Sequence, residues 1–539
     1  MQGLQPLSLQ FRPLDNVNRG DRPMRLLTLC AAFTLLCTIP AVGMAQDDTT
    51  KSVDHTDAAS ANEDMSDAAF RNIMKRQSRD ENIFENPGEQ GTTGMDIQKL
   101  TRGVDAVMAE AIKKKNIPGG VVLILRNHHV ALEKAYGNRS VEPTTETCTV
   151  DTIYDMASLT KCIATAGSVM KLVEDGKISL RDSVDKYIPD WSNPPEQEAL
   201  AKDIQKVKRA VAHGEVHLTD GILEFSGDTT SSTKKSWNNI KGQVGLSEKA
   251  LDEIFAFPPA DKTHDTLRML MTHTAGLKPF DRYYMMFPER HAHDKIIHEI
   301  ATSKLQAVPG TEFIYSDLSF ITLGDIVQRV SGEGLDKFAS DNIFKPLGMK
   351  DTMFNPPASL KPRIAPTQYF TVTNADGTTK SVMKRGEVHD DNAWVQDGVS
   401  GHAGLFSTVH DVAIFCQMML NRGSYRYKQI LSPITVDAMT HDQARLGPGG
   451  DQRGLGWDIN TGYSNLRGDI FEGGYGHSGF TGTSVWIVPK EKLAIIILTN
   501  RVHPNGEGDS IPMRIRVANV VAGSIVESYG KVNYDRNNE

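Results

Sequence analysis

Two pairs of short apolar runs, one near each end of the folded part of the chain, most constrain its fold. Runs 121–125 and 130–135 are joined by a short polar link, and runs 483–488 and 493–499 flank a charged tripeptide. Such pairs predict β-hairpins. The sequence between them is largely helical in pattern and shows few β-α-β units. We therefore predict an α/β fold in which one sheet, assembled from both chain ends, packs against helices.

The segment before the first hairpin predicts an amphipathic helix. Apolar residues recur at helical spacing over 96–116, ahead of the breaker Pro118-Gly119-Gly120. From 46 to 95 the chain is polar and acidic with few large apolar residues, so we predict a disordered linker there. The folded domain is expected to cover 96–530.

The first 45 residues have the pattern of a secretory signal. Arg25 precedes an apolar stretch over 26–38, and a proline and small residues follow up to Ala45, where cleavage is expected. Met24 is an alternative start of translation. An uncleaved membrane anchor is the competing interpretation, but the apolar stretch is shorter than the roughly 20 residues that span a bilayer. We expect a periplasmic or secreted protein, with membrane association only if the segment stays uncleaved.

Charge and cysteine content exclude several function classes. The 59 basic and 67 acidic residues leave a net charge of −8, without the basic excess that binding a phosphate backbone requires. Nucleic acid is therefore not an expected partner. The five cysteines show no C-x-x-C spacing, which argues against a disulfide framework or a zinc finger.

The first chemical motif is Ser158-Leu-Thr-Lys161. On a helix this spacing places a hydroxyl nucleophile and an amine on one face, within reach of each other. Ser-x-x-Lys alone is unspecific, because six other serines begin the same pattern: Ser168, Ser183, Ser231, Ser232, Ser381 and Ser528. The copy at Ser158 differs in being followed by the small and apolar run 162–167, which predicts a buried helix.

Two further boxes give that motif its context: Tyr315-Ser316-Asp317 and His477-Ser478-Gly479. Serine, then tyrosine, then histidine before a strand resembles the serine β-lactamase and penicillin-binding protein superfamily. Within it the chain is most similar to the branch of class C β-lactamases, D-alanyl-D-alanine carboxypeptidases and family VIII esterases. The likeness covers roughly 96–528 and includes the segments 266–277, 308–317, 323–330, 343–349 and 400–408.

The resemblance implies a fold and a set of roles. The fold would be an αβα sandwich with a mainly antiparallel sheet and a mostly helical subdomain. Ser158 would attack an amide or ester carbonyl, Lys161 would help to remove its proton, and Tyr315 would relay protons. The N–H groups of Ser158 and Phe480 would stabilise the oxyanion, and Gly479 would permit close approach of the substrate.

Two residues depart from the family pattern. Asp317 stands where an asparagine is usual, and a carboxylate cannot donate to a substrate amide. It could instead pair with Lys161, hold it protonated and shift the work of the base onto Tyr315. His477 replaces a lysine, which makes the positive charge that would meet a substrate carboxylate dependent on pH. The alternatives are a helix-cap carboxylate for Asp317 and a strand-end histidine for His477.

Two further features, a long segment before Tyr315 and a set of histidines and aspartates, have no assigned function. The distance in sequence from Ser158 to Tyr315 exceeds the family pattern, which indicates an insertion at about 191–262 that could be a lid, a flap or a partner surface. His389-Asp390-Asp391 and His402 invite a metal interpretation, but no ligand frame such as H-E-x-x-H exists. We expect neither metal nor cofactor, and a loop at the pocket rim around His402.

Together these features predict an exported serine hydrolase that acts through a Ser158 acyl-enzyme on a small molecule or a peptidoglycan peptide. A D-alanyl-D-alanine carboxypeptidase or related peptidase comes first, closely followed by an ester hydrolase and then by a true β-lactamase. The alternative of another class is a protein without turnover, either a β-lactam or muropeptide sensor or an inert scaffold.

Overall fold

The computed structural model describes residues 93–527 except 214, 220–221, 226–229, 245–260, 374–377 and 463. The predicted signal (1–45) and nearly all of the predicted linker (46–95) lie outside these residues. The strands are β1 (Gly119–Arg126), β2 (His129–Ser140), β3 (Glu146–Thr147), β4 (Tyr154–Asp155), β5 (Val216–Thr219), β6 (Ile222–Phe225), β7 (Met353–Phe354), β8 (Tyr369–Thr373), β9 (Thr379–Met383), β10 (Leu405–Ser407), β11 (Ser424–Tyr425), β12 (Lys428–Gln429), β13 (Gln452–Arg453), β14 (Asp458–Asn460), β15 (Tyr475–Ser478), β16 (Ser484–Val488) and β17 (Leu493–Thr499).

The α-helices are α1 (Ile97–Lys113), α2 (Gly167–Glu174), α3 (Pro195–Ala212), α4 (Ser231–Val244), α5 (Leu267–Thr272), α6 (Tyr283–Met286), α7 (His293–Thr302), α8 (Asp317–Ser331), α9 (Leu335–Ala339), α10 (Lys345–Leu347), α11 (Asp391–Val395), α12 (Val409–Leu420), α13 (Pro433–Thr440) and α14 (Ile511–Gly523). Two π-helical turns, Lys161–Ala166 and Ser340–Phe344, precede α2 and α10. Shorter 3₁₀ turns cover Val184–Lys186, Lys262–His264, Ala358–Arg363 and Pro489–Glu491.

The main sheet joins the two ends of the domain. Its strand order is β13-β14-β15-β16-β17-β1-β2-β3, and β1 pairs antiparallel with both β2 and β17. The predicted sheet built from both chain ends is therefore confirmed. At the turn between β1 and β2, Asn127 and His128 both have positive φ, 53° and 68°, as the two-residue turn of a tight hairpin requires.

Both faces of this sheet are covered, which explains why its central strands are apolar without interruption. Val122 and Ile124 of β1 pack in the core formed with α1 and α14, whereas Val121, Leu123 and Leu125 belong to the larger core on the opposite face. Alternate side chains of one strand thus enter two different cores. Helix α12 packs on β17 and β1, so the layers form the predicted αβα sandwich.

The helix predicted over 96–116 is α1. Asp96 caps its N-terminus by accepting the N–H of Lys99 at 2.9 Å, and its buried face carries Leu100, Val104 and Met108. The face packs on the sheet, and α14 from the other end of the domain lies alongside α1.

The segment predicted as an insertion, 191–262, contains helices α3 and α4, which pack together, and the β5–β6 hairpin. Whether it is an insertion relative to the family stays a prediction. Across the described parts of 93–527, no helix is both long enough and apolar enough to span a membrane.

Candidate active site

The approach to Ser158 is held by one buried carboxylate. Ala157, directly before the serine, has φ +46°, a conformation that costs energy for a residue with a Cβ. Its N–H donates to Asp155 Oδ1 at 2.8 Å, while Asp155 Oδ2 accepts the N–H of His389 at 2.7 Å. The Asp155 carbonyl accepts the hydroxyl of Thr481 at 2.7 Å. Burial raises the pKa of Asp155 to about 6, so the carboxylate is ionised above that pH.

Ser158 and Lys161 are in contact, as their spacing predicts. Ser158 lies in a turn, and the helix that follows begins with a π-helical turn at Lys161, an irregularity common at functional sites. Lys161 Nζ donates to Ser158 Oγ at 2.8 Å. The lysine is fully buried, whereas the serine is partly exposed. A substrate can therefore reach the hydroxyl but not the amine.

The Lys161 ammonium has further partners of opposite polarity. It forms an ion pair with Asp317 Oδ1 at 2.7 Å, hydrogen-bonds to the Tyr315 hydroxyl and lies 3.3 Å from the carbonyl oxygen of His402. Burial by itself would lower the pKa of Lys161, but the Asp317 carboxylate and the Tyr315 hydroxyl raise it above its ordinary value. The lysine is therefore charged at neutral pH, and the pairing expected for Asp317 is present.

The second box is positioned by a helix cap and by a buried histidine. Ser316 is the N-cap of α8, and its hydroxyl donates to the carbonyl of Lys278 at 2.7 Å. His273 Nδ1 accepts the N–H of Ser316 at 3.0 Å, and the His273 ring lies 4.5 Å from the Tyr315 ring, centroid to centroid. Asp317 is thus the first residue of α8, facing the ammonium of Lys161.

The third box lies on β15, paired with β16. His477 Nδ1 lies 2.8 Å from the carbonyl of Ser478, so Nδ1 carries the proton and Nε2 is left as an acceptor. Burial, together with the nearby cations Arg453 and Lys161, holds the pKa of His477 well below its usual value. The ring is therefore neutral at neutral pH and does not offer a substrate carboxylate a positive charge there.

Two backbone donors remain for an oxyanion. In the part of the chain that the structure describes, neither the N–H of Ser158 nor that of Phe480 donates to any acceptor. The two segments are in contact, because a Cβ on Gly479 would lie 2.5 Å from the Met156 carbonyl oxygen. Thr483 Oγ1 donates to the same carbonyl at 3.0 Å. Glycine is thus required where the third box meets the approach to Ser158.

Sequence reasoning did not single out three side chains that contact these boxes. The guanidinium carbon of Arg453, a buried residue, lies 6.0 Å from the Tyr315 ring centroid. Asp155 lies three residues before Ser158, and His273 lies inside the segment 266–277, yet no spacing rule marks a lone aspartate or histidine as a positioning group. Their roles follow from contacts between distant parts of the chain.

The histidine and aspartate cluster that suggested a metal is a hydrogen-bonded chain. His402 Nε2 lies 2.9 Å from Asp390 Oδ1, and His402 Nδ1 lies 2.9 Å from Ser400 Oγ. No group of three His, Cys, Asp or Glu side chains suited to a metal ion occurs within the described ranges. His402 was expected in a loop at the pocket rim, but its side chain is only 1% exposed. Two hydrogen bonds hold this loop against the helix that carries Lys161. The Lys161 ammonium donates to the His402 carbonyl, and the Thr165 hydroxyl donates to the Gly401 carbonyl.

A serine that touches a buried lysine, a tyrosine on the same lysine and two open N–H donors define the site of a serine hydrolase. The fold around it is an αβα sandwich with a helical subdomain. A family model described as beta-lactamase matches residues 104–520, and the chain belongs to that family.

Relatives and solved structures agree with this assignment. The chain is 32% identical over 427 residues to proteins of Salmonella agona and Salmonella enteritidis that carry the provisional name D-alanyl-D-alanine carboxypeptidase, covering 76% of this chain and 84% of theirs. Similar folds include EstCE1, a hydrolase with promiscuous acyltransferase activity (TM-score 0.54, 20% identity, 79% of this chain and 99% of that one). A class C β-lactamase (TM-score 0.52, 17% identity, 80% and 98%) and an octameric penicillin-binding protein homologue from Pyrococcus abyssi (TM-score 0.52, 21% identity, 80% and 78%) are also similar.

Proposed function

We propose that the chain is an exported hydrolase that cleaves an amide or ester bond through an acyl-enzyme on Ser158. The observation that carries the proposal is the contact of the Ser158 hydroxyl with the Lys161 ammonium, 2.8 Å away, beside two N–H groups that have no acceptor among the residues the structure describes. A nucleophile, a charged neighbour and donors for the developing oxyanion are the parts that acyl transfer needs.

Lys161 acts in this mechanism as a charge and not as the first base. Because Asp317 keeps the lysine protonated, the Tyr315 hydroxyl, which is hydrogen-bonded to Lys161, acts as a proton relay: its oxygen accepts the Ser158 proton while its own hydroxyl proton passes to the leaving group. The Ser158 oxygen then bonds to the substrate carbonyl carbon, and the oxyanion forms against the N–H groups of Ser158 and Phe480. The bond from the carbonyl carbon to the leaving group then breaks, and the leaving group departs with the proton from Tyr315. A water later releases the acyl group by the same relay in reverse, its proton passing through Tyr315 to the Ser158 oxygen.

The proposed substrate class is a D-alanyl-D-alanine peptide or a related peptidoglycan peptide, which the names of the Salmonella relatives support. An ester hydrolase is the second candidate. Its specific support is Asp317, because the carboxylate is engaged by Lys161 and offers no N–H to a substrate amide. Export rests on the N-terminal sequence pattern alone, and nucleic acid is not a proposed partner.

Intact mass measured over time, after mixing the protein with a penicillin, tests the acyl-enzyme, with Ser158→Ala alongside. We expect an adduct on the native protein only. Its lifetime separates a slow penicillin-binding carboxypeptidase or a sensor, which keeps the adduct, from a β-lactamase, which clears it. Release of D-alanine from a D-alanyl-D-alanine peptide and hydrolysis of simple esters are measured on the same pair. Failure in all three assays would exclude the enzyme and leave the inert scaffold.

A further inference from the structure

The side chain of Phe480 is exposed although its backbone belongs to the proposed oxyanion site. Its exposed fraction is 61%, which makes it one of the few large apolar residues on the described surface. The ring is nevertheless held in place. It stacks on His389 with a centroid distance of 5.7 Å and an interplanar angle of 29°, and the Arg501 guanidinium carbon lies 4.4 Å from its centroid. A fixed, exposed aromatic ring can bind a ligand group without first losing its own rotational freedom.

The partner ring is fixed and uncharged. The backbone N–H of His389 donates to the Asp155 carboxylate, and the His389 ring packs edge-on against Phe370 at a centroid distance of 5.6 Å. Burial, with a smaller contribution from the positive charge of Lys384, lowers the pKa of His389 to about 4. Near neutral pH, Phe480 and His389 therefore form one neutral aromatic surface, named here the aromatic ledge.

The aromatic ledge lies beside the reacting atoms. Gly479, the residue before Phe480, touches the Met156 carbonyl, two residues before Ser158, and Asp155 links His389 to Ala157. A substrate whose carbonyl oxygen accepts the N–H of Phe480 binds directly beside this residue, so one of its two carbonyl substituents can reach the Phe480 ring. An apolar substituent there would remove apolar surface from water on both sides.

A second exposed apolar residue, Phe280, borders the Tyr315 box. Phe280 is 42% exposed and follows Pro279, whose carbonyl accepts the N–H of Asp317 at 2.9 Å. Apolar surface thus flanks two of the three boxes, and this favours substrates with bulky apolar groups over small polar ones.

We propose that the aromatic ledge is a binding subsite for an aromatic group of the substrate, carried on either the acyl or the leaving side of the scissile bond. The inference rests on the proposed hydrolase function and adds a substrate class to it: esters or amides with an aromatic substituent next to the carbonyl. The ring contributes through apolar burial and aromatic stacking, while its backbone N–H serves the oxyanion.

Three simple esters show whether the aromatic ledge binds the acyl side or the leaving side of the substrate. Their hydrolysis is measured by titrating the acid that is released. Methyl phenylacetate against methyl acetate reports on the acyl side, and benzyl acetate against methyl acetate on the leaving side. We expect Phe480→Ala to lower the kcat/KM ratio of aromatic to non-aromatic ester about tenfold on one side. Phe480→Tyr should restore the ratio. Tyr427→Ala removes another exposed aromatic ring, in the β11–β12 turn, and should leave it unchanged.

If Phe480→Ala leaves the kcat/KM ratio of aromatic to non-aromatic ester unchanged on both sides, the proposed subsite is wrong. It is also wrong if Tyr427→Ala changes the ratio by the same factor. If the native protein hydrolyses none of the esters, the subsite is tested without catalysis, by saturation-transfer NMR with phenylacetate and benzyl alcohol. Weaker binding of either compound to Phe480→Ala would then support the subsite although the hydrolase proposal had failed. Equal binding to both proteins would reject it.

Discussion

Two fully buried lysines, one in the active site and one at the edge of the 191–262 segment, have pKa values shifted in opposite directions. Lys161 faces the Asp317 carboxylate and the Tyr315 hydroxyl, and its pKa is raised. Lys262 donates to the backbone carbonyls of Ile300 and Ala301 at 2.7 and 2.8 Å, and burial lowers its pKa to about 7. Equal burial thus has opposite outcomes, because only an anionic neighbour compensates the lost hydration of an ammonium.

The surroundings of Lys262 explain the second outcome. Its ammonium lies 4.7 Å from the Trp191 ring centroid, and Asp265, three residues after Lys262, accepts the indole N–H of Trp191 at 3.0 Å. Burial raises the pKa of Asp265 to about 8, so this carboxyl group is mostly protonated and uncharged at neutral pH and gives Lys262 little compensating charge. Lys262 joins the end of the 191–262 segment to the C-terminal end of α7 through hydrogen bonds, whereas Lys161 supplies a charge.

The largest expected effect separates the two lysines by function. Lys161→Met should lower kcat/KM by about 10³-fold, because it removes the cation beside the Ser158 hydroxyl. Lys262→Met should leave kcat/KM within about threefold and act on stability instead. Steady-state kinetics and thermal unfolding of both variants measure the difference. A similar loss of activity in both would mean that the Lys161 effect is structural.

The next prediction removes the anion that makes Lys161 different. Asp317→Asn should let the pKa of Lys161 fall, because the largest stabilising charge on its ammonium is lost. Since the charged lysine is the active form, the alkaline limb of the kcat/KM profile should move to lower pH. Activity at pH 7 should fall about tenfold. The profile is measured from pH 5 to 10, with Asp281→Asn as the control, because it removes the carboxylate of a partly exposed ion pair with Lys278 near the same box. An unmoved limb would show that Asp317 does not hold the charge.

The smallest expected effect concerns stability at alkaline pH. Lys262 has a folded-state pKa of about 7 and an ordinary value of 10.5, so between these values the unfolded chain binds more protons than the folded one. Folding stability from this group should therefore rise as pH rises through that window. Between pH 8 and 10 the rise should be about 2 kcal/mol larger in the native protein than in Lys262→Met. Urea unfolding at the two pH values checks this, and equal changes would contradict the lowered pKa.

Local sequence patterns were sufficient to predict the strands and helices whose signals lie within a few residues of one another. The sequence predicted the first hairpin and the strand 493–499, which the structure shows as Leu493–Thr499. A short, unbroken apolar run between polar residues is typical of a buried strand. The sequence also predicted α1, whose N-cap Asp96 and apolar face are local signals. The π-helical turn at Lys161 had no such signal, because the Ser-x-x-Lys motif does not distinguish an α-helix from a π-helical turn.

For the active site, the residue types were predictable and their charge states were not. Asp317 opposite Lys161 was an expectation from the sequence, and the distance of 2.7 Å follows from the start of α8 beside the π-helical turn. The sequence placed a pH-dependent charge at His477, whereas the fold surrounds this ring with Arg453 and Lys161. The pKa of a side chain depends on neighbours that are distant in the chain.

The sequence by itself determined a sheet built from both chain ends and packed against helices, because hydrophobic periodicity is a local property of the chain. The order of the three boxes carried the resemblance that implied the αβα sandwich and the class of serine hydrolase. Only the tertiary structure decided that Asp155 joins the approach to Ser158 with the loop at His389, that His402 is buried beneath Lys161, and that Phe480 is exposed. Each of these three features depends on segments far apart in sequence coming within hydrogen-bonding or packing distance. The burial, charge state and accessibility of a side chain are set by such contacts.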